Sequence, residues 1–250
     1  MQLLQEDLRL HPAATYQNRA DLLYELLGVR VSKSTICRTI KRLGLHSQKR
    51  SVGAAERDEW LRVAWRVTVA GTVEPHKLVL VDEMGTNTSL SPQCAYSLKG
   101  RRTYAQIPRN RGANTTLLAS MSLEGMGPCL AVEGFITATV FEAYVEKVLA
   151  PSLRDGQIVV VDNLGAHKGE RDREQIEKRG CQLLFLPPYS ADFNPIEEAF
   201  SKIKGILRKV QARTRQALIE ALGVEIWAVS TRDAQGFFEH GGYHLPVHFL

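Results

Sequence analysis

Three short stretches of this chain contain only apolar side chains: Leu78-Val79-Leu80-Val81, Ile158-Val159-Val160-Val161 and Leu183-Leu184-Phe185-Leu186. Four such residues in a row, rich in β-branched types and without alternation, read as strands covered on both faces. Strands of that kind need helices packed on each side of the sheet, so the runs predict an α/β domain. Two of the runs stop on an aspartate, Asp82 and Asp162, and the third is stopped by Pro187-Pro188. The carboxyl ends of strands in such sheets are where sites gather. An ionised carboxylate at the border of a core is costly unless something pairs with it. The plainer reading of either aspartate is a turn residue or a helix cap.

The elements around these strands follow from local pattern. Thr115–Ser122 and 128–133 are β-prone, with Gly125 and Gly127 between them, and predict a hairpin. Thr137 or Thr139 caps a helix reaching about Leu149, a polar helix covers 170–179, and another covers 216–229. Ahead of the α/β domain, 18–27 is helical and stops at Gly28, and Ser32 caps a second helix over 34–43. That second helix has the apolar stripe Ile36, Ile40 and Leu43 and carries bases elsewhere, the pattern of a helix-turn-helix, although other αα-hairpins share it. The organisation expected is a helix-turn-helix segment over 1–50, a linker and helix over 51–75, and the α/β domain over 76–250.

The formal net charge is +5 with a pI near 9.1, which by itself says little. Its distribution says more. No acid lies between Glu25 and Glu56, Glu83 and Glu124, or Glu198 and Glu220, and all three intervals carry bases. The first holds Arg30, Lys33, Arg38, Lys41 and Arg42, the second Arg101 and Arg102, the third Lys204 and Arg208. Segregated basic blocks predict a phosphate-binding footprint, with solvated surface as the alternative. Arg30, Lys33, Ser34, Thr35, Arg38, Lys41, Arg42, Arg101, Arg102, Lys204 and Arg208 are therefore the candidate DNA contacts. No apolar run approaches the length of a membrane span, and the opening MQLLQEDLRLHP lacks the apolar core of a signal peptide. Cys37, Cys94, Cys129 and Cys181 form no Cys-x-x-Cys pair, which argues against zinc and against a disulfide framework and fits a cytoplasmic setting.

A third acid joins the two aspartates. In Asn194-Pro195-Ile196-Glu197 the asparagine reads as an N-cap, the proline as the first helical residue and Glu197 as the reciprocal member of a capping box. Glu198 reads as the partner of Lys202, four residues on. The helix has the apolar stripe Ile196, Ala199, Phe200, Ile203, Ile206, Leu207 and Val210, which predicts packing on the sheet. Glu197 shares its other face with Ser201, Lys204 and Arg208. Two strand-end aspartates and an acid at a helix start suit a shared divalent cation, and oxygen donors favour Mg²⁺ or Mn²⁺. Asn163 and His167 are candidate supporting contacts, His167 as a second layer or surface residue rather than a ligand.

VDEMG (81–85), VVVDNLGAHKG (159–169) and LPPYSADFNPIEEAFSKIK (186–204) together resemble the DDE transposases of the mariner superfamily, most of all the bacterial insertion-sequence-630 branch. The 34 residues between Asp162 and Glu197 match that superfamily's spacing, and FFEHGGYH (237–244) resembles the same branch. The resemblance implies an RNase H-like domain, a mixed five-stranded sheet flanked by helices. It implies Asp82, Asp162 and Glu197 as the catalytic and metal-binding triad, with Glu83 and Glu198 as flanking acids. It implies two Mg²⁺ ions, replaceable by Mn²⁺, with Asp82 shared between them. The expected substrate is double-stranded DNA, both terminal inverted repeats and target, cut and joined by in-line phosphoryl transfer in a homodimeric complex on the bacterial nucleoid. Ala191 and Phe193 stand where the family usually has proline and leucine, and the first 50 residues have room for one helix-turn-helix where two are usual. A DNA-binding remnant or regulator that competes for element ends, and a cellular RNase H-like nuclease, are the alternatives.

Overall fold

A computed structural model describes residues 2–47, 54–163 and 169–245. They fall into two compact units, Met1–Gly53 and Ala54–Leu250. Among the described residues no helix is long and apolar enough to cross a membrane.

The first unit holds α1 (Gln2–Leu10), α2 (Tyr16–Leu27) and α3 (Lys33–Arg42). Thr15 caps α2 by accepting from the Asn18 amide, and Gly28 ends it at φ 67°, a left-handed turn that glycine makes without strain. Ser32 caps α3 by accepting from the Thr35 amide. Ile36 and Ile40 of α3 pack on Ala20 of α2, with Leu8, Leu23 and Val31 at the edge of this small core. Arg19 is buried, pairs with Asp7 of α1, and donates to the His11 carbonyl at 2.7 Å, which ties α1 to α2. Local pattern predicts α2 and α3 but not α1, of whose side chains only Leu4 and Asp7 are buried.

The second unit is built on β1 (Leu78–Thr86), β2 (Thr115–Ser122), β3 (Gly125–Glu133), β4 (Ile158–Val161) and β5 (Gln182–Phe185). Their order in the sheet is β3-β2-β1-β4-β5. β2 runs antiparallel to both of its neighbours, β1 and β3, and β4 and β5 run parallel to β1. This is the mixed five-stranded, RNase H-like sheet that the resemblance implies. Gly127 is needed where β3 crosses Ser120, because a Cβ there would lie 2.5 Å from the serine oxygen.

Strand parity divides the core. Leu78, Leu80 and Met84 of β1, Leu117, Ala119 and Met121 of β2, and Val160 of β4 face one layer. Val79, Val81, Leu118, Val159 and Val161 face the other. The first layer is covered by α7 (Ile196–Val210), α8 (Arg215–Glu225) and α9 (Thr231–His240), and also by Trp65, Val69 and Ala70. These last three belong to α4 (Glu59–Trp65) and the wider helical turn Arg66–Ala70 that continues it, so the helix expected between the domains packs within the second unit. The second layer is covered by α5 (Ala138–Tyr144), its continuation Val145–Leu149, and α6 (Glu170–Glu177). On α7 the stripe Ile196, Ala199, Phe200, Ile203 and Leu207 is buried as expected, while Ile206 is half-buried and Val210 exposed.

Two expectations are corrected. β1 does not stop at Asp82; it runs on to Thr86 because β2 keeps pairing with it, Asp82 opposite Ala119 and Thr86 opposite Thr115. Only the parallel ladder to β4 ends at Val81, opposite Val161. The helix expected over 216–229 is present as α8 but ends at Glu225 in a short turn, Ile226–Ala228, and α9 beyond it is an element the sequence pattern does not predict.

Candidate active site

The register explains how two distant aspartates become neighbours. Val81 and Val161 are the last partners in the parallel ladder, so Asp82 and Asp162 are the next residues along each strand. Adjacent strands lie about 4.8 Å apart. Alternation places both aspartates on the face of Leu80 and Val160, the face on which α7 packs. Glu197, in the first turn of α7, completes the group. Asp82, Asp162, Asn163, Asn194 and Glu197 line one cavity of about 430 Å³, whose remaining wall is the stretch 186–191.

The three carboxylates differ in environment. Asp82 is buried, 7% exposed. Burial, together with the charges of Glu197, Asp162 and Glu83, pushes its carboxyl up to about 7, against the pull of the Glu83 amide, which donates to Oδ1 at 2.7 Å. Asp162 is half-buried. Glu197 is exposed as a side chain, yet its carboxyl faces the cavity and is also held above its ordinary range, first by lost hydration and then by Asp162, with Lys204 acting in the opposite sense. Among the described residues, no three acid, histidine or cysteine side chains are already drawn into a closed metal cage. The donor set nonetheless fits a hard divalent cation: three carboxylates line one cavity, one of them desolvated, and their mutual repulsion would be relieved by a cation shared among them.

Asn194 is the residue that sequence reasoning assigned wrongly. It does not cap α7, which begins after Pro195 with no side-chain cap. Its side chain turns into the core instead and donates from Nδ2 to Asp82 Oδ2 at 2.7 Å. Glu197 is therefore not part of a capping box. Glu198 does not pair with Lys202 either: its carboxylate meets His240 of α9, and Lys202 reaches Asp233 at 2.6 Å. Of two adjacent glutamates, the helix turns Glu197 to the cavity and Glu198 to α9.

Residues 77–219 match the family described as DDE superfamily endonuclease. The chain belongs to the DDE superfamily of endonucleases. As a member it is a nucleic-acid-cleaving enzyme. This DDE endonuclease is 22% identical over 205 residues to the transposable element Tc1 transposase of Caenorhabditis elegans, an alignment covering 76% of this chain and 75% of that one. Its fold is shared with the Mos1 transposase paired-end complex with left transposon end, at TM-score 0.76 and 17% identity over 96% of this chain and 74% of that chain. The mariner Mos1 paired end complex with Mg aligns at TM-score 0.71 and 15% identity, over 97% and 78% of the two chains.

The other candidate residues of the endonuclease are distributed as follows. Lys204 and Arg208 lie on α7, half-buried, on the same face as Glu197. Arg101 and Arg102 are exposed on the connection between β1 and β2 and do not line the carboxylate cavity. Arg30, Lys33, Ser34, Thr35, Arg38, Lys41 and Arg42 belong to the first unit. Arg30 stacks over the Tyr24 ring at 4.7 Å, Thr35 is half-buried at the start of α3, and Lys33, Ser34, Arg38, Lys41 and Arg42 are exposed. Asn163 lines the cavity, and His167 lies outside the described residues.

Proposed function

We propose that this endonuclease is the transposase of a mariner/Tc1-type mobile element, of the bacterial insertion-sequence branch, and that Asp82, Asp162 and Glu197 are its catalytic carboxylates. One observation carries the reading: acids from a central strand, its parallel neighbour and a helix start share a single cavity at one end of the sheet. Mos1 paired end complexes with Mn and with Mg support a divalent cation here, and we take two ions as the number, as two-metal phosphoryl-transfer sites use. A bound divalent cation would stabilise the negative charge that gathers on the attacking and leaving oxygens of a phosphodiester.

The chain's own residues have separate tasks in this reading. Asp82 sits deepest and is oriented by the Asn194 amide and its neighbour's N–H. Asp162 and Glu197 close the donor set from either side. Lys204, whose charge reaches Glu197, and Arg208 draw the DNA backbone toward the acids, which would otherwise repel it. The basic helix α3 and the Arg101-Arg102 connection hold duplex phosphates elsewhere along the substrate. Two element ends must be brought together, so the working form is a homodimer on double-stranded DNA.

The test is cleavage of a duplex carrying the element's terminal inverted repeats by the full chain in Mg²⁺. The expected result is nicking at the repeat and joining of the freed 3′ end to target DNA, also with Mn²⁺. Asp82→Asn, Asp162→Asn and Glu197→Gln should each lower the rate by roughly 10²–10³-fold or more, the loss typical of one preorganised electrostatic group. Duplex binding should persist, and Glu198→Gln should retain activity. Binding without nicking would replace the proposal with a DNA-binding regulator. Nicking indifferent to the repeats, without joining, would replace it with a nuclease.

A further inference from the structure

We propose that Arg62 of α4 is a positioning residue for this active site, fixing the loop that delivers Asn194 and Glu197 to the carboxylate cavity. Arg62 lies outside the residues that match the endonuclease family, 77–219. It is nevertheless among the largest fully buried side chains, 1% exposed. Its Nη1 donates to Ser190 Oγ at 2.8 Å and to Asp192 Oδ1 at 2.9 Å, and its Nη2 donates to Asp192 Oδ2 at 2.6 Å. The guanidinium also lies 4.2 Å over the Phe193 ring. Three of the four residues before Asn194 are thus held by one planar group, whose fork matches a carboxylate in a way an ammonium cannot.

The loop needs such a clamp. Tyr189 is at φ 54°, a left-handed conformation that a bulky side chain adopts only when its surroundings enforce it. Ser190 is buried and donates to the Pro188 carbonyl at 3.1 Å while it accepts from Arg62. Ser190 and Ala191 themselves line the carboxylate cavity, so a loop released from Arg62 moves the cavity wall and, through Asn194, the orientation of Asp82. Arg57 adds a second cation to Asp192, at 3.0 Å, and Arg66 a second one over the Phe193 ring, at 5.0 Å, but of the three arginines Arg62 is the one that also holds Ser190.

The inference rests on the assignment of Asp82, Asp162 and Glu197, and its test separates the two. In the full chain, Arg62→Gln, Arg62→Lys, Asp192→Asn and the Arg62→Gln/Asp192→Asn double variant are compared with Glu197→Gln. Four readouts are taken: melting temperature, duplex affinity, Mn²⁺ affinity by calorimetry, and single-turnover cleavage. Arg62→Gln should bind duplex as the parent does and cleave about 10²-fold more slowly, the scale of a misplacement of roughly 1 Å. It should bind Mn²⁺ about 10-fold more weakly, as loss of a ligand's supporting contacts does. Arg62→Lys should recover part of both losses, and the double variant should be no worse than Arg62→Gln. A folded Arg62→Gln chain with parental cleavage and Mn²⁺ affinity overturns the proposal, as do losses that multiply in the double variant. If Arg62→Gln does not fold, Asp192→Asn decides alone: parental rate and Mn²⁺ affinity overturn the clamp, and a loss of both with an unchanged melting temperature supports it. An active Glu197→Gln chain would overturn the triad instead.

Discussion

In the helical unit the charges proposed to act are exposed cations on a short helix. Lys33, Arg38, Lys41 and Arg42 project from α3, and its buried positions are only Ile36 and Ile40. In the sheet unit the charges proposed to act are carboxylates at the edge of a core, with Asp82 nearly as buried as the valines before it. A cation on an exposed helix face is placed by local sequence and needs no partner until a polyanion arrives. A carboxylate beside a core is placed by pairing between strands some eighty residues apart in sequence and must be held by other side chains. Asp82 accordingly has two hydrogen bonds, from the Asn194 amide and the Glu83 backbone, and a guanidinium stabilises the loop behind it. Removing one support in the sheet unit should therefore alter chemistry, whereas removing one cation in the helical unit should alter affinity alone.

The sharpest way to break that contrast is Asn194→Ala. The variant loses a buried hydrogen bond to a carboxylate, worth about 1.5–3 kcal/mol, and should slow cleavage roughly 10- to 100-fold at unchanged duplex affinity. Single-turnover rates set beside binding isotherms check it. A variant that cleaves normally but melts lower would make Asn194 structural and weaken the link between loop and acid.

That asparagine also marks the limit of what local sequence discloses. Asn194-Pro195-Ile196-Glu197 has the composition of a helix start, and a helix does begin there. The partner that turns the asparagine inward lies 112 residues earlier in the chain, where no local pattern can register it. The same holds for Glu198 and Lys202. Their spacing favours a mutual pair, but α9 offers His240 to one and Asp233 to the other. α9 was itself illegible because only Ala234 and Phe238 of its ten residues are buried, too thin a stripe to stand out. By contrast the runs 78–81 and 158–161 were readable as core strands, because burial on both faces leaves a continuous apolar signature. The full length of β1 was not, since past Asp82 it has no β4 partner and its composition turns polar. The acids' convergence follows from parity and register, which the apolar runs carry; the contacts that hold those acids come from the fold.

An intermediate effect is expected in the helical unit. Lys33→Ala, Arg38→Ala and Lys41→Ala should each weaken duplex binding similarly across sequences and flatten the log affinity against log salt plot by about 0.9, one released counterion per phosphate contact. The cleavage rate of saturated complex should not change. A slope that stays put for all three would remove α3 from the DNA footprint. A drop in the saturated rate would mean that the two units do not divide binding from chemistry in this way.

The smallest effect tests whether a charge can matter in the sheet unit without touching the site. Asp233 accepts from Lys202 at 2.6 Å and from the Ser230 amide at 2.9 Å, and the ammonium, with the two serine bonds, holds its carboxyl down to about 2. In an unfolded chain an aspartate titrates near 3.9. The folded state therefore gains from Asp233 fully above about pH 4, and the gain is lost as pH falls toward 2. The pair is partly solvated, so Asp233→Asn should cost only about 0.2–1 kcal/mol, at most about 4 °C in melting temperature for a unit of this size. The gap between parent and variant should be constant from pH 8 to pH 5 and narrow below pH 4, while cleavage at neutral pH is untouched. A gap that does not depend on pH would assign the stabilisation to packing of α9 rather than to its charge. A slower cleavage would show that tying α7 to α9 belongs with Asn194 and Arg62 among the supports of the carboxylates.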